Sequence, residues 1–245
     1  MYPILLNIGP VTIYSYGLMI ALAFAAGILI AIKAAKREGV STEAVLDITL
    51  AVIISAIVGA RIFYIIEFWR DFSVDPLSMF MVWHGGLVFY GGLLFAIVAV
   101  IIASRIKNIL LWKTLDIAAP AAALGYAIGR IGCFLNGCCY GVICDLPWAV
   151  KFPELLGRRH PTQIYASICG LLIFAVLMYL GKRKMFNGQV FLAGVFLYSI
   201  YRFNIEFIRV NMKYAGLSGS QWVSILMFVF SIVTYIILYK NSKKI

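Results

Sequence analysis

Apolar residues run in blocks of about 18 or more along the whole chain. Wound as a helix at about 1.5 Å per residue, such a block crosses a hydrocarbon core of about 30 Å. The pattern predicts seven spans, at residues 13–32, 47–68, 86–104, 113–135, 163–181, 189–208 and 220–239. The connections are too short to hold a water-soluble domain. Residues 1–245 therefore read as one all-α, polytopic integral membrane domain. Internal repeats of the kind that build inverted-repeat transporters are not evident. Met1-Tyr2-Pro3 offers no basic segment before the first block, and no small-residue cleavage site follows it, so that block is expected to be a retained helix.

Charge sets the orientation. Lys33, Lys36, Arg37, Arg105, Lys107, Lys113, Lys182, Arg183, Lys184, Lys240, Lys243 and Lys244 fall in alternate connections and the C-terminal tail. The remaining connections hold Arg70, Lys151, Arg158, Arg159 and Lys213. The positive-inside rule places the first set in the cytoplasm, giving an outside N-terminus and a cytoplasmic C-terminus. Seven crossings require termini on opposite sides, so the count and the charge bias agree. A chain that is 63% hydrophobic and 13% charged, with mean hydropathy +0.97, is no ordinary soluble domain. The net charge of +11 is spread over the loops, where it meets anionic lipid, and forms no stripe suited to nucleic acid.

Against this background the ionisable groups inside the spans carry the functional signal. An arginine at the bilayer centre costs about 3 kcal/mol on insertion scales, so it normally faces a protein cavity. Arg61, Arg130 and Arg202 each lie roughly 20–25 Å outward from the inner ends of their helices, which predicts one shared level in the outer half of the bilayer. Arg202, Glu206 and Arg209 follow i, i+4, i+7 spacing and are expected to project from one helix face. Snorkelling to the surface with one intrahelical ion pair is the plain alternative. A common cavity accounts better for the shared level. Guanidinium forks match phosphate oxygens, which points to a phospholipid head group.

Glycines mark a second kind of site. Gly125 and Gly129 form a small-xxx-small step for close helix approach. The run from Gly129 to Gly141 places glycine at 132, 137 and 141, which predicts a helix end opening into a tight loop with exposed amides. A second cluster, His84 through Gly92, begins at the outer end of the third span. Either cluster also suits simple helix packing.

On these residues the chain resembles the prolipoprotein diacylglyceryl transferase family nearly end to end. The resemblance is carried by Ile8-Gly9-Pro10, Tyr16-Gly17-Leu18-Met19, Gly59-Ala60-Arg61, Trp83 through Gly92, Gly129 through Gly141, Arg159 through Tyr165, and Tyr201-Arg202-Phe203 with Glu206 through Arg209. It implies seven transmembrane helices in the bacterial cytoplasmic (inner) membrane and a site toward the outer leaflet. It also implies that phosphatidylglycerol donates its diacylglyceryl group to a lipobox cysteine in the signal peptide of a preprolipoprotein, releasing glycerol phosphate. The resemblance implies that Arg130 and Arg202 act in catalysis with Glu206. Tyr16, Arg61, Gly132, Asn136, Gly141, His160, Gln163, Tyr165 and Arg209 are implied as substrate-binding. Three positions depart from the better-studied members: Tyr90 stands where they have histidine, Cys133 where they have asparagine, and Cys138 where they have glutamate. Tyr90 and the nearby His84 are thus the two candidates for handling the acceptor's proton.

The chemistry needs positive charge in a dry cavity. A thiol of pKa about 8.5 must lose its proton, and its thiolate must displace a phosphate monoester from a primary carbon. Neighbouring arginines assist both events, and neither metal nor cofactor is expected. Cys133, Cys138, Cys139 and Cys144, spaced C-x4-C-C-x4-C, leave a rival reading open: a membrane thiol–disulfide oxidoreductase. A disulfide or inert small residues suit the spacing better than a metal site with His160, because no standard zinc pattern fits. Cys169 stands apart in a span and reads as packing. A related phosphatidylglycerol-dependent transferase with another acceptor also fits. A channel or transporter fits least, since the inner halves of the spans offer little polarity beyond Asp47 and Asp116.

Overall fold

The computed structural model describes residues 1–9, 11–81, 85–153, 155–211 and 213–243. A hairpin of β1 (Ile4–Ile8) and β2 (Val11–Tyr14) leads into α1 (Ser15–Arg37) and α2 (Thr42–Glu67). A short α3 (Trp69–Val74) and a 3₁₀ turn (Pro76–Phe80) precede α4 (Phe89–Ile106) and α5 (Leu111–Asn136). Two small strands, β3 (Val150–Lys151) and β4 (Arg158–Arg159), pair before α6 (Thr162–Leu180) and α7 (Gln189–Ile205). A second 3₁₀ turn (Glu206–Ile208) and the hairpin β5 (Lys213–Tyr214) and β6 (Leu217–Ser218) lead to α8 (Gly219–Ser242).

Among the described residues, seven helices are long and apolar enough to cross a membrane: α1, α2, α4, α5, α6, α8, and α7 extended to Ile208. They coincide with the seven predicted spans. Several run further than the apolar pattern, as α1 does through Lys33 and Lys36, because backbone hydrogen bonding continues past the first interfacial charge. Large side chains such as Leu29, Leu50, Leu172 and Leu226 are exposed, as expected where hydrocarbon is the solvent. The hairpins, α3 and the 3₁₀ turns were not legible in the apolar pattern, being shorter than any spanning block.

The chain forms two compact units, Met1–Ala34 with Leu115–Ile245, and Ala35–Thr114. In the first, α5 and α7 run side by side in the same direction. Asp116 near the start of α5 accepts from the amides of Gly188 (2.7 Å) and Phe191 (2.9 Å), capping α7 from outside. It also pairs with Lys184 at 3.2 Å. Further along, Tyr126 meets Tyr198 and Tyr201, and past the helix ends Gly141 bridges to Arg209. Helix α6 crosses α5 where Gly170 meets Ala127, and α8 runs back along α7, with Phe228 stacked on Phe196 at 5.1 Å. Glycines 125, 129 and 132 of α5 face Ala23, Ile20 and Met19 of α1. The small-residue step read in the sequence is therefore a helix crossing.

In the second unit α2 and α4 cross at their glycines. A Cβ at Gly59 would collide with Phe95, and one at Gly91 with Phe63 and the Gly59 carbonyl. Gly91 and Gly92 thus serve this crossing. Asp47 pairs with Lys107 near the other end of the same helices. Asp47 and Asp116, the inner carboxylates noted in the sequence, both serve to tie helices together.

Candidate active site

The first unit holds an apolar cavity between α5 and α7. On α5, Ala119, Ala122, Ala123 and Tyr126 line this cavity of about 300 Å³, and on α7 Phe191, Gly194, Val195 and Tyr198 line its other wall. Both sets follow i, i+3, i+4, i+7 spacing, and both stripes continue one turn further to an arginine: Arg130 on α5 and Arg202 on α7. Gly170, Ile173 and Leu177 of α6 and Met227 of α8 complete the lining. A tyrosine belt separates cavity from charge: the Tyr126 ring stands edge-on to Tyr198 at 5.6 Å, and its hydroxyl lies 3.2 Å from that of Tyr201. Tyr198 lies within electrostatic reach of Arg202, Arg130 and Arg209 together.

Each arginine is held by different means. The Arg130 guanidinium sits 4.9 Å from the centre of the Tyr126 ring, a cation–π contact that leaves its N–H edges available. Arg202 Nη2 donates to the Ser220 hydroxyl at 2.8 Å, and Nη1 stands 3.0 Å from Glu206 Oε2 as an ion pair rather than an aligned hydrogen bond. Glu206 is buried, and its other oxygen accepts from the Asn211 side chain. The i, i+4 pair is as the spacing predicts, but Arg209 does not share that face. The chain tightens to a 3₁₀ turn at Glu206–Ile208 and then extends, with Arg209 at φ −104° and ψ 154°. Val142 donates its amide to Ile208 O at 2.9 Å, which ties Arg209 to the glycine loop instead. Nε of Arg159 and Nε of Arg209 are buried without a hydrogen-bond acceptor among the described residues. Two unpartnered guanidinium nitrogens on segments that meet at Gly141 are what an anion would complete.

The loop after α5 takes the form the glycines predict. Gly137 (φ +76°) and Cys139 (φ +63°) turn the chain through left-handed backbone, and the Cys138 amide returns to Cys133 O at 3.1 Å. From the start of α6, Thr162 Oγ1 donates to Cys139 O at 2.6 Å and Gln163 Nε2 donates to Cys138 O. Gly141 is buried, and a Cβ there would strike His160 and the Ile208 carbonyl. His160 Nδ1 lies 3.4 Å from the Tyr165 hydroxyl, which accepts from Trp148 at 2.7 Å. Gly132 packs against Met19 and Tyr16, bringing Tyr16 beside the loop, and the Cys138 thiol donates to Cys133 O at 3.6 Å with Asn136 close by. The structure thus gathers Tyr16, Arg130, Gly132, Asn136, Gly141, His160, Gln163, Tyr165, Arg202, Glu206 and Arg209 in one unit.

All five cysteines are free. The sulfurs of Cys133, Cys138 and Cys139 lie within 4.8 Å of one another. A hydrogen bond from Cys133 pulls the Cys139 thiol down to about 5, with Cys138, Arg130 and Arg209 acting in the same direction against burial. Burial pushes the Cys138 thiol up.

Arg61 has another occupation. It is buried in the second unit, and its five N–H groups point at five carbonyls: Nε at Met79, Nη1 at Gly85 (2.7 Å) and Gly86, Nη2 at Ser78 and Met81. The rings of Tyr64 and Phe72 flank it at 5.6 and 5.2 Å. No donor is left over for a lipid phosphate, contrary to the substrate-binding expectation. Arg61 instead organises the segment that leads to Tyr90. Lysine cannot reach five carbonyls from one nitrogen, so Arg61→Lys is expected to cost at least about 2 kcal/mol of stability, read as a lower thermal midpoint in detergent. An unchanged midpoint with impaired activity would return Arg61 to the substrate. Tyr90 lies exposed in the first turn of α4, edge-on to Phe89. His84 lies outside the described residues.

Several neighbours of the site were not singled out as site residues in the sequence: Tyr126, Tyr198, Tyr201, Ser220, Asn211 and Arg159, whose guanidinium lies 5.2 Å over the Tyr140 ring. A tyrosine one turn before each of the two arginines was the available signal.

A sequence profile of the prolipoprotein diacylglyceryl transferase family matches residues 3–237. The chain is 40% identical over 223 residues to the phosphatidylglycerol–prolipoprotein diacylglyceryl transferase of Finegoldia magna, covering 90% of this chain and 89% of the relative. It is 35% identical over 250 residues to the enzyme of that name from Geobacter sulfurreducens, covering 98% and 96%. The Bordetella avium enzyme of that name is 31% identical over 254 residues, covering 99% and 96%.

Proposed function

The chain belongs to the prolipoprotein diacylglyceryl transferase family, and we propose that it transfers the diacylglyceryl group of phosphatidylglycerol to the thiol of a lipobox cysteine in a prolipoprotein. The observation that carries this reading beyond family membership is the pair of stripes that share an apolar cavity and end in Arg130 and Arg202. An anionic lipid has the matching form: acyl chains for the cavity, phosphate for the arginines, glyceryl carbons between them.

The incoming thiol gives up its proton, which passes to the departing phosphate or to water, and the thiolate attacks the glyceryl carbon that carries the phosphate ester. The C–S bond forms as the C–O bond breaks, and glycerol phosphate departs with the electron pair. Arg130 and Arg202 hold the phosphate and stabilise the charge that develops on it. Glu206 acts through Arg202, fixing its fork, and Arg209 with Arg159 adds positive charge nearby. Tyr16, Gly132, Asn136, Gly141, His160, Gln163 and Tyr165 shape the loop against which the head group rests. The whole chain works as one transferase domain in the bacterial cytoplasmic membrane. The basic loops face the cytoplasm and the site faces the outer leaflet.

Proton handling falls to Tyr90, at the position where the better-studied members carry histidine, with His84 as the alternative. A phenol relays a proton without resting as phenolate. Tyr90→Phe is therefore expected to impair transfer more than His84→Asn. Tyr90→His should remain active and gain a limb rising between about pH 6 and 7, because imidazole accepts a proton only when neutral. A fully active Tyr90→Phe enzyme would reduce Tyr90 to packing. The overall reading is tested with phosphatidylglycerol labelled in its free glycerol. Labelled glycerol phosphate should appear only when an acceptor peptide bearing a lipobox cysteine is present. Release at the same rate without the peptide would indicate lipid hydrolysis and sink the proposal.

A further inference from the structure

Phosphatidylglycerol transfer leaves the three clustered thiols unused. Cys133 sits in the last turn of α5, and the left-handed backbone at Gly137 and Cys139 folds the next two cysteines back over it. A non-glycine residue in that conformation costs about 1–2 kcal/mol, so surrounding contacts must impose it. They are visible: Thr162 and Gln163 fasten the carbonyls of Cys139 and Cys138, and the Cys138 amide is fastened to Cys133 O. The sulfurs are thereby held together by backbone and by a neighbouring helix.

Three thiolates bound to one ion through bonds of about 2.3 Å stand about 4 Å apart in a trigonal plane. The observed separations, all within 4.8 Å, require little movement to reach that geometry. The group contains sulfur alone, which selects soft ions over calcium, magnesium or manganese. Zinc in a structural site takes four ligands, whereas this group supplies three. Charge points the same way. Three thiolates and a monovalent cation carry a net −2, and Arg130 and Arg209 both lie within electrostatic reach of Cys139. We propose that Cys133, Cys138 and Cys139 form a binding site for one monovalent copper ion. Each ligating thiol gives its proton to the buffer as the ion binds, and no electron transfer is involved.

The test uses the full chain, purified in detergent, reduced, desalted and titrated anaerobically with copper(I). One copper per chain should survive a second desalting, with thiolate-to-copper absorption in the ultraviolet saturating at the same ratio. X-ray absorption on the wild-type complex should report three sulfur neighbours at one distance, a readout that needs no variant. Cys133→Ser, Cys138→Ser and Cys139→Ser should each weaken retention at least about 10-fold against a competing chelator. Cys144→Ser and Cys169→Ser should leave it unchanged. Failure of the reduced wild-type protein to retain copper overturns the site, as does a first shell of two sulfurs or of nitrogen and oxygen. If chains purified without reductant contain a disulfide within the cluster and bind no copper after reduction, the cluster is a redox pair instead. Because no step measures lipid transfer, these results stand apart from the transferase reading.

Discussion

Arg202→Lys and Arg130→Lys are each expected to lower turnover at least about 10²-fold, the scale of losing one preorganised oxyanion donor. Lysine keeps the charge but not the planar fork. At position 202 it must also choose between Ser220 and Glu206, which the native side chain contacts through separate nitrogens. Glu206→Gln should lose turnover as well, since the amide keeps the shape and can still meet Asn211 but no longer fixes the guanidinium by charge. The thermal midpoint separates the roles. Large losses of activity with a nearly unchanged midpoint support a substrate role for the arginines. Near wild-type turnover in both lysine variants would remove them from the mechanism.

Filling the cavity should also be damaging, and selectively so. Ala123 lines it one turn below Tyr126 on the stripe that leads to Arg130. Ala123→Phe is expected to raise KM for long-chain phosphatidylglycerol at least about 10-fold, on the order of 1.4 kcal/mol of lost acyl burial. Phosphatidylglycerol with very short acyl chains should be nearly unaffected, because its head group still reaches the arginines. An equal loss for both lipids would mean that the ring disturbs the helix packing and that the acyl chains lie elsewhere.

The fold was legible because the physical requirement that dominates it is simple. Spanning helices need long apolar runs, and the charges that end those runs also fix the loops. The pair Arg202 and Glu206 was legible for a similar reason, since four residues make about one turn. Arg209 was misplaced because nothing in its local sequence announces that α7 tightens and then extends to pair with Gly141. Arg61 illustrates a different limit. Its depth correctly marked it as enclosed, but its partners are carbonyls of a loop with no regular pattern, and only the folded chain reveals them. The cavity stayed hidden for want of large residues: Ala119, Ala122, Ala123, Gly170 and Gly194 read as surfaces for close packing, and their smallness also makes room. The cysteine spacing fits no familiar metal pattern because the folding back depends on a left-handed cysteine, which sequence does not announce.

The central claim is that this chain builds a thioether between a diacylglyceryl group and a cysteine. Purified protein is to be incubated with phosphatidylglycerol of one defined acyl composition and a peptide carrying a single lipobox cysteine, and the peptide then weighed by mass spectrometry. The predicted result is a gain equal to that diacylglyceryl group less one hydrogen, located on the cysteine by fragmentation and absent from a cysteine-to-serine peptide. A peptide of unchanged mass, under conditions where the Finegoldia magna relative modifies it, would contradict the claim.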